Sequence, residues 1–374
     1  MDLFEAIEEI YGVSSVALKQ IGVKRWERPE AIRVREHLLS YYSEDNCRAQ
    51  GYEHYPYARI AAICPIRQPS KHLPKARSVA SIGVNVPRLA MELLAEYTAP
   101  LHAASLWDAE TYRLIDFEPE EPRAAFAIDS FLRFRLTTGL MREELYRAIA
   151  RGMTTLSLRE QIAPDAAALV DFKSHSVCGG VHTLCAFARP APYNDFVIPL
   201  QRRSLRVAVA GGSYGVIPMA FHQPYESGHL DAREPATTAV REIFEELFGG
   251  EESHEEARFL THPAIEWLLS HEADLHFETT NLFVSLFGGN YDFSLLMAVT
   301  NTDFWQRFGP CLETGWESGE HFLLSSQDKV AWWEILRECD WEAQALGCCL
   351  DGLRRLRVLH PARMLNESYD AATC

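Results

Sequence analysis

The chain has 374 residues, a net charge of −16, 47% hydrophobic and 24% charged residues. That length predicts two or more globular domains, and so acidic a balance argues against general nucleic-acid binding, which needs a concentrated basic surface. No apolar run approaches a membrane span, the acidic start Met1-Asp2-Leu3-Phe4-Glu5 lacks a signal peptide's basic region, and the nine scattered Cys, with no Cys-x-x-Cys, predict free thiols in a reducing cytoplasm.

In chain order, residues 1–48 read as helices, with Leu3, Ile7 and Ile10, then Ile32, Val34, Leu38 and Leu39 at helical spacing. Pro56, Pro65, Pro69 and Pro74 break residues 50–76 into an irregular segment. From His54 to Met91 there is no Asp or Glu, while Arg59, Arg67, Lys71, Lys75, Arg77 and Arg88 are all basic. This stretch is either a solvated loop or a contact for an anionic ligand, where planar Arg suits bidentate binding. A helix is expected over 87–106 behind Pro87. Residues 116–122, rich in Pro and acids, read as a linker, and a helix is expected at 124–151. The domain boundary falls near 155, which makes residues 1–155 a mainly helical N-terminal domain.

Beyond Ala166 the pattern turns to strands. Val181–Ala188 alternates, and Phe196–Leu200 is an apolar run ending in Gln201-Arg202-Arg203-Ser204. Leu205–Ala210 and Tyr214–Met219 flank Gly211-Gly212 as a hairpin. A loop over 221–236 feeds a helix at 237–248, with Thr237 or Thr238 as its cap. A further helix is expected at 259–272. Leu282–Phe287 and Phe293–Thr300 form a second hairpin around Gly288-Gly289-Asn290. Helices at 330–339 and 342–358 close the chain.

The chemistry concentrates in Arg241-Glu242-Ile243-Phe244-Glu245-Glu246. On a helix, at about 100° per residue, Glu242, Glu245 and Glu246 share one face, and Val240, Ile243, Phe244 and Leu247 fill the other. Arg241 stands one turn before Glu245. Crowded carboxylates favour a bound divalent cation, and Mg²⁺ or Mn²⁺ with oxygen ligands fits. Residues 225–282 hold fourteen acidic and three basic side chains, so a solvated acidic face is the competing reading.

These residues resemble the Nudix family signature, G-x5-E-x7-R-E-U-x-E-E-x-G-U, where U is aliphatic. Arg241 to Glu246 matches R-E-U-x-E-E at every fixed position. Gly228 and Glu234 keep the G-x5-E spacing, but six residues rather than seven precede Arg241, and Gly249 comes one residue late. Pro218-Met219-Ala220-Phe221-His222-Gln223-Pro224 replaces the family's Gly-rich turn. The resemblance covers about residues 160–360. It implies an α/β/α sandwich with a mixed sheet over 156–374, including the C-terminal helices. It also implies metal-dependent hydrolysis of a nucleoside diphosphate linked to another group. Glu242, Glu245 and Glu246 would be the metal ligands and Arg241 their orienting partner, with Arg202 and Arg203 near the substrate. His222 and Gln223 would contact the substrate or rebuild the loop. A further loop carboxylate is expected, with Glu278, Glu313 and Glu317 as candidates. Against this stands a non-catalytic nucleotide-binding sensor or regulatory protein on the same fold. The altered loop favours that class, because Gly in such loops permits close backbone approach to phosphate.

Three other patterns carry less. Gly211-Gly212-Ser213-Tyr214-Gly215 spells G-x-S-x-G, but a strand-like run follows instead of the helix a nucleophile elbow needs. His175, Cys178, His182 and Cys185 have zinc-like spacing, yet His182 and Cys185 fall on opposite faces of one strand. His271-Glu272 and His276 miss the H-E-x-x-H spacing by one residue.

Overall fold

A computed structural model describes residues 31–50, 62–63, 73–80, 86–97, 108–118, 123–205, 207, 211–225, 227–228, 230–251, 257–313, 318–337 and 341–364. The N-terminal part contains α1 (Ala31–Tyr42), α2 (Glu44–Ala49), β1 (Ala62–Ile63), β2 (Lys75–Ser78) and α3 (Arg88–Tyr97). There follow β3 (Glu110–Glu118), β4 (Arg123–Ser130), α4 (Phe131–Leu136), α5 (Thr138–Arg151), α6 (Ser157–Ile162) and α7 (Ala166–Val170). The second half contains β5 (Gly179–Ala188), β6 (Phe196–Arg203), β7 (Tyr214–Val216), β8 (Met219–Phe221), α8 (Pro235–Leu247) and α9 (Pro263–Ser270). The chain continues through β9 (Leu275–Ser285), β10 (Tyr291–Val299), α10 (Thr302–Phe308), β11 (Ser318–Ser325), α11 (Lys329–Arg337) and α12 (Ala343–Leu359).

A mixed eight-stranded sheet runs β1-β9-β10-β5-β6-β11, with β7 paired to β6 and β8 to β5. β10 and β5 are parallel and the other pairs antiparallel. Every residue of β5 and β10 is buried, so both faces of the central strands are covered. On one face, Leu184, Ala186, Leu296 and Ala298 pack with Trp332, Leu346, Leu350 and Leu353 of α11 and α12. On the other, Cys185, Phe187, Met297 and Val299 pack with Val240, Ile243 and Leu247 of α8, and with α9 and α10. These layers form the α/β/α sandwich.

The N-terminal half differs from expectation. Residues 123–130 form a strand, not the start of a helix, and 116–118 belong to its antiparallel partner β3. With β2 parallel to β4, they make a three-stranded sheet. Helix begins only at Phe131, where Ser130 Oγ accepts the Arg133 N–H. One apolar cluster joins Val34, Leu38, Phe126, Leu140 and Leu145 to Leu282, Tyr291 and Phe293 of the large sheet and to Ala239 of α8. The start of α8 therefore lies where the N-terminal core meets the sandwich core.

Buried Arg159 fastens the same junction. Its NH1 donates to the Tyr42 hydroxyl at 2.7 Å and the Leu286 carbonyl at 2.8 Å, its NH2 to the carbonyls of Met141 at 3.2 Å and Phe287 at 2.5 Å. Among the described residues no helix is long and apolar enough to cross a membrane.

Candidate functional site

Helix α8 begins with Pro235 as its first residue, and Glu234 precedes it as N-cap without a side-chain capping bond. The sequence expectation of Thr237 or Thr238 as the cap does not hold: both are buried inside the helix. The helix ends where the Phe248 and Gly250 N–H groups both reach the Phe244 carbonyl, and Gly249 takes φ 66°.

Both faces of α8 are covered. Val240, Ile243 and Leu247 are buried, but so are Arg241, Glu242 and Glu246, at 4%, 8% and 3% exposure. The polar side is therefore not a solvated helix face. It divides into two groups. In the first, Arg241 NH1 donates to both Glu245 oxygens at 2.9 and 2.8 Å, and NH2 contacts Glu242 Oε1. Burial works against the Arg241 charge, but the Glu242 and Glu245 carboxylates outweigh it and hold the guanidinium above its usual range. The Tyr225 ring covers that guanidinium, with Arg241 Cζ 4.4 Å from the ring centre.

In the second group, Glu246 Oε2 accepts from Gln201 Nε2 at 2.8 Å and Oε1 from the Met219 N–H at 3.0 Å. Arg203 NH1 donates to the Met219 carbonyl at 2.8 Å. Residues 187–188 of β5 pair with β6, whereas 180–182 pair with β8 and the far end of β6 pairs with β7. The sheet splits here, and Glu246 accepts main-chain and side-chain donors at the split. Gln201, the first polar residue after the apolar run of β6, was the sequence signal for this contact.

The remaining sequence candidates are dispersed. Arg202 lies on the opposite face of β6 from Gln201 and Arg203, donating to the Gly212 carbonyl at 3.2 Å and lying 5.9 Å from the Tyr214 ring centre. His222 is fully buried between Tyr112 and Phe126, each ring centre 4.7 Å away. Gln223 beside it is half-buried. Glu278 is paired with Arg355 at 2.5 and 3.1 Å, and Glu313 is an exposed residue whose N–H meets the Leu247 carbonyl at 2.9 Å. Glu317, Arg59, Arg67 and Lys71 lie outside the described residues, while Lys75 and Arg77 pair with Glu234 and Asp116.

The zinc-like set does not assemble. His175 meets Ser174, Cys178 meets Thr111, His182 lies 3.4 Å from Asp292, and Cys185 belongs to the apolar core on the other face. Among the described residues, no three His, Cys, Asp or Glu converge as a ready-made metal site. Ser213 sits in the turn between β6 and β7, its carbonyl accepting the Arg203 N–H, and no helix follows it. A cavity of about 270 Å³, lined by Ile115, Phe117, Phe172, Leu282 and their neighbours, shares no residue with either group on α8.

No family model matches the chain, and no curated protein matches it. The structural neighbours include a Nudix hydrolase from M. smegmatis, RenU, 14% identical, covering 50% of this chain and 89% of that one with a TM-score of 0.28. Another is a bifunctional NMN adenylyltransferase/ADP ribose pyrophosphatase from Francisella tularensis, in complex with AMP and a Mn ion. It is 12% identical and covers 67% of this chain and 62% of that one with a TM-score of 0.25. At such low identity and TM-score, the functional reading stands on this chain's own residues.

Proposed function

We propose that this chain is a divalent-metal-dependent hydrolase of the Nudix type, acting on a nucleoside diphosphate linked to another group. The observation that carries this reading is the group on one turn of α8. Arg241 draws Glu242 and Glu245 to a single guanidinium, and a buried apolar stripe fixes the helix that bears them. Mg²⁺ is commonly held by one or two carboxylates together with substrate phosphates and water, not by an all-protein cage. Glu242 and Glu245 fit that demand as hard oxygen donors, each with lone pairs beyond those that meet Arg241. Glu246 fits less directly, because Gln201 and Met219 already hold it. Its part is to lock α8 against the split sheet.

A bound cation would neutralise phosphate charge and lower the pKa of a coordinated water. The chain's own contribution is placement. Arg241 orients two carboxylates, Tyr225 shields the guanidinium from water, and the Glu246 contacts fix the helix, so little reorganisation remains at the moment of reaction.

The second reading is a binding module without turnover. Glu246 favours it, since both of its oxygens serve the fold, and so does His222, whose ring fills the interface to the N-terminal sheet instead of facing a ligand. A screen over nucleotide sugars, dinucleotides, coenzymes and modified nucleoside triphosphates with Mg²⁺ or Mn²⁺ tests both. Turnover that Glu242→Gln lowers at least tenfold, in a protein that still folds, supports the hydrolase. Saturable binding with no phosphate or nucleotide product replaces it with the binding module.

A further inference from the structure

The loop from Phe221 to the start of α8 is pinned at both ends by the N-terminal sheet. At its beginning, the His222 N–H donates to the Gly179 carbonyl at 2.8 Å, and the His222 carbonyl accepts the Tyr112 N–H at 2.9 Å. One residue's main chain thus joins the large sheet to β3. At its end, Glu234 Oε1 meets Lys75 Nζ at 3.1 Å, and Arg233 NH1 donates to Ser78 Oγ at 3.0 Å, both partners lying on β2. Between these pins stands Tyr225, steadied by Phe259 at 6.4 Å between ring centres, with its face over Arg241. Its hydroxyl oxygen is buried, and burial pushes the phenol well above its usual range.

We propose that Tyr225 is a positioning residue: held by a loop that the N-terminal sheet fixes, its ring keeps the Arg241 guanidinium seated between Glu242 and Glu245. This rests on the carboxylate reading of the preceding section. A planar guanidinium satisfies its donors in its own plane, so its faces are the part left to stacking. An aromatic face covers one of them with an electrostatically attractive surface, and the attraction is largest where water is excluded. Arg241 is 4% exposed, so that condition holds. Without the ring, water enters over the guanidinium and the two carboxylates lose their common seat. The ion pair between Lys75 and Glu234 is mostly exposed on the Lys side, so the buried ring, not that pair, carries the effect. The unexpected loop Phe221-His222-Gln223-Pro224-Tyr225 thereby replaces the small residues of the family's turn with a side-chain brace.

The test uses the full chain, Tyr225→Ala and Tyr225→Phe, with two readouts that need no turnover. Mn²⁺ uptake is followed by the paramagnetic resonance of the free ion, and hydrogen exchange is followed in peptides covering 235–247 and 343–359. Tyr225→Ala is expected to change Mn²⁺ affinity by about tenfold and to speed exchange in 235–247 but not in 343–359. Tyr225→Phe, which keeps the ring, is expected to restore both to within about twofold of the parent. Native exchange in a folded Tyr225→Ala protein overturns the proposal, as does a Phe variant that behaves like Ala. If the parent takes up no Mn²⁺, the carboxylate reading fails, and exchange in 235–247 still decides whether Tyr225 holds the helix. Should Tyr225→Ala not fold, Tyr225→Leu fills the space without an aromatic face and carries the same comparison.

Discussion

His222 makes the interface between the two sheets sensitive to acid. Its ring is fully buried, and Nδ1 lies 3.3 Å from the Tyr291 hydroxyl. Burial pushes the imidazole down to about 3, whereas the unfolded chain titrates near 6.5. Between those values the unfolded chain holds a proton that the folded chain does not. The contribution to stability is therefore complete above about pH 6.5 and is lost as pH falls towards 3. At pH 5 the loss amounts to about 2 kcal/mol. In His222→Phe the ring contacts with Tyr112 and Phe126 persist and the titration is gone. Any packing cost of the larger ring is a constant offset, because Phe does not titrate. Urea unfolding of both proteins, followed by tryptophan fluorescence from pH 8 to pH 5, reads the difference, in which shifted groups such as His175 and His182 cancel. The variant is expected to gain about 2 kcal/mol on the parent across that range. Parallel stability curves would refute the reasoning, since they would mean that the folded protein accommodates the imidazolium.

Arg159→Met fills much of the same space but removes a donor from the Tyr42 hydroxyl and from the carbonyls of Met141, Leu286 and Phe287. It is expected to cost about 3 kcal/mol or more, read as a lowered melting temperature, and an unchanged one removes Arg159 from the junction. Glu246→Gln sets an amide NH₂ against the donors Gln201 and Met219 N–H, so one contact must break. It is expected to lose about 1–3 kcal/mol, more than Glu245→Gln at the same pH, and the reverse order would place the structural load on Glu245. Mg²⁺ or Mn²⁺ is expected to raise the melting temperature by mass action, and Glu242→Gln to abolish that rise; an identical rise in the variant sinks the metal assignment.

Helix α8 was readable in the sequence because its apolar residues keep helical spacing, although its start was expected at 237 and lies at Pro235. The hairpin of β9 and β10 was readable from Gly288-Gly289-Asn290. The strand β4 was not. Ala124, Ala125 and Ala127 favour helix by local propensity, and what makes them a strand is pairing with β3 on one side and β2 on the other. The hairpin expected across Gly211-Gly212 differs for a similar reason. Tyr214–Val216 pairs with Leu200–Arg202, and the partner expected at 205–210 falls partly outside the described residues. Alternation on β5 was misleading, because both of its faces are covered and both rows of side chains are buried.

At the site, the sequence showed residue types and helical spacing but not which carboxylate answers to which donor. Glu242, Glu245 and Glu246 are equivalent on a helical wheel. They become different because the sheet splits beneath one of them. Where β5 leaves β6 for β8, the Met219 N–H is turned out of the strand ladder, and a buried donor of that kind must be satisfied. Glu246 stands over it, and Gln201 supplies a second donor from 45 residues earlier in the chain. Glu242 and Glu245, by contrast, both meet a cation, Arg241, on the same helix. The position of Arg241 depends in turn on an aromatic ring from a loop whose ends are tied to the N-terminal sheet. The N-terminal half thus reaches the carboxylates by contact through Tyr225, so a change that loosens β2 or β3 acts on Glu242 and Glu245 without touching either.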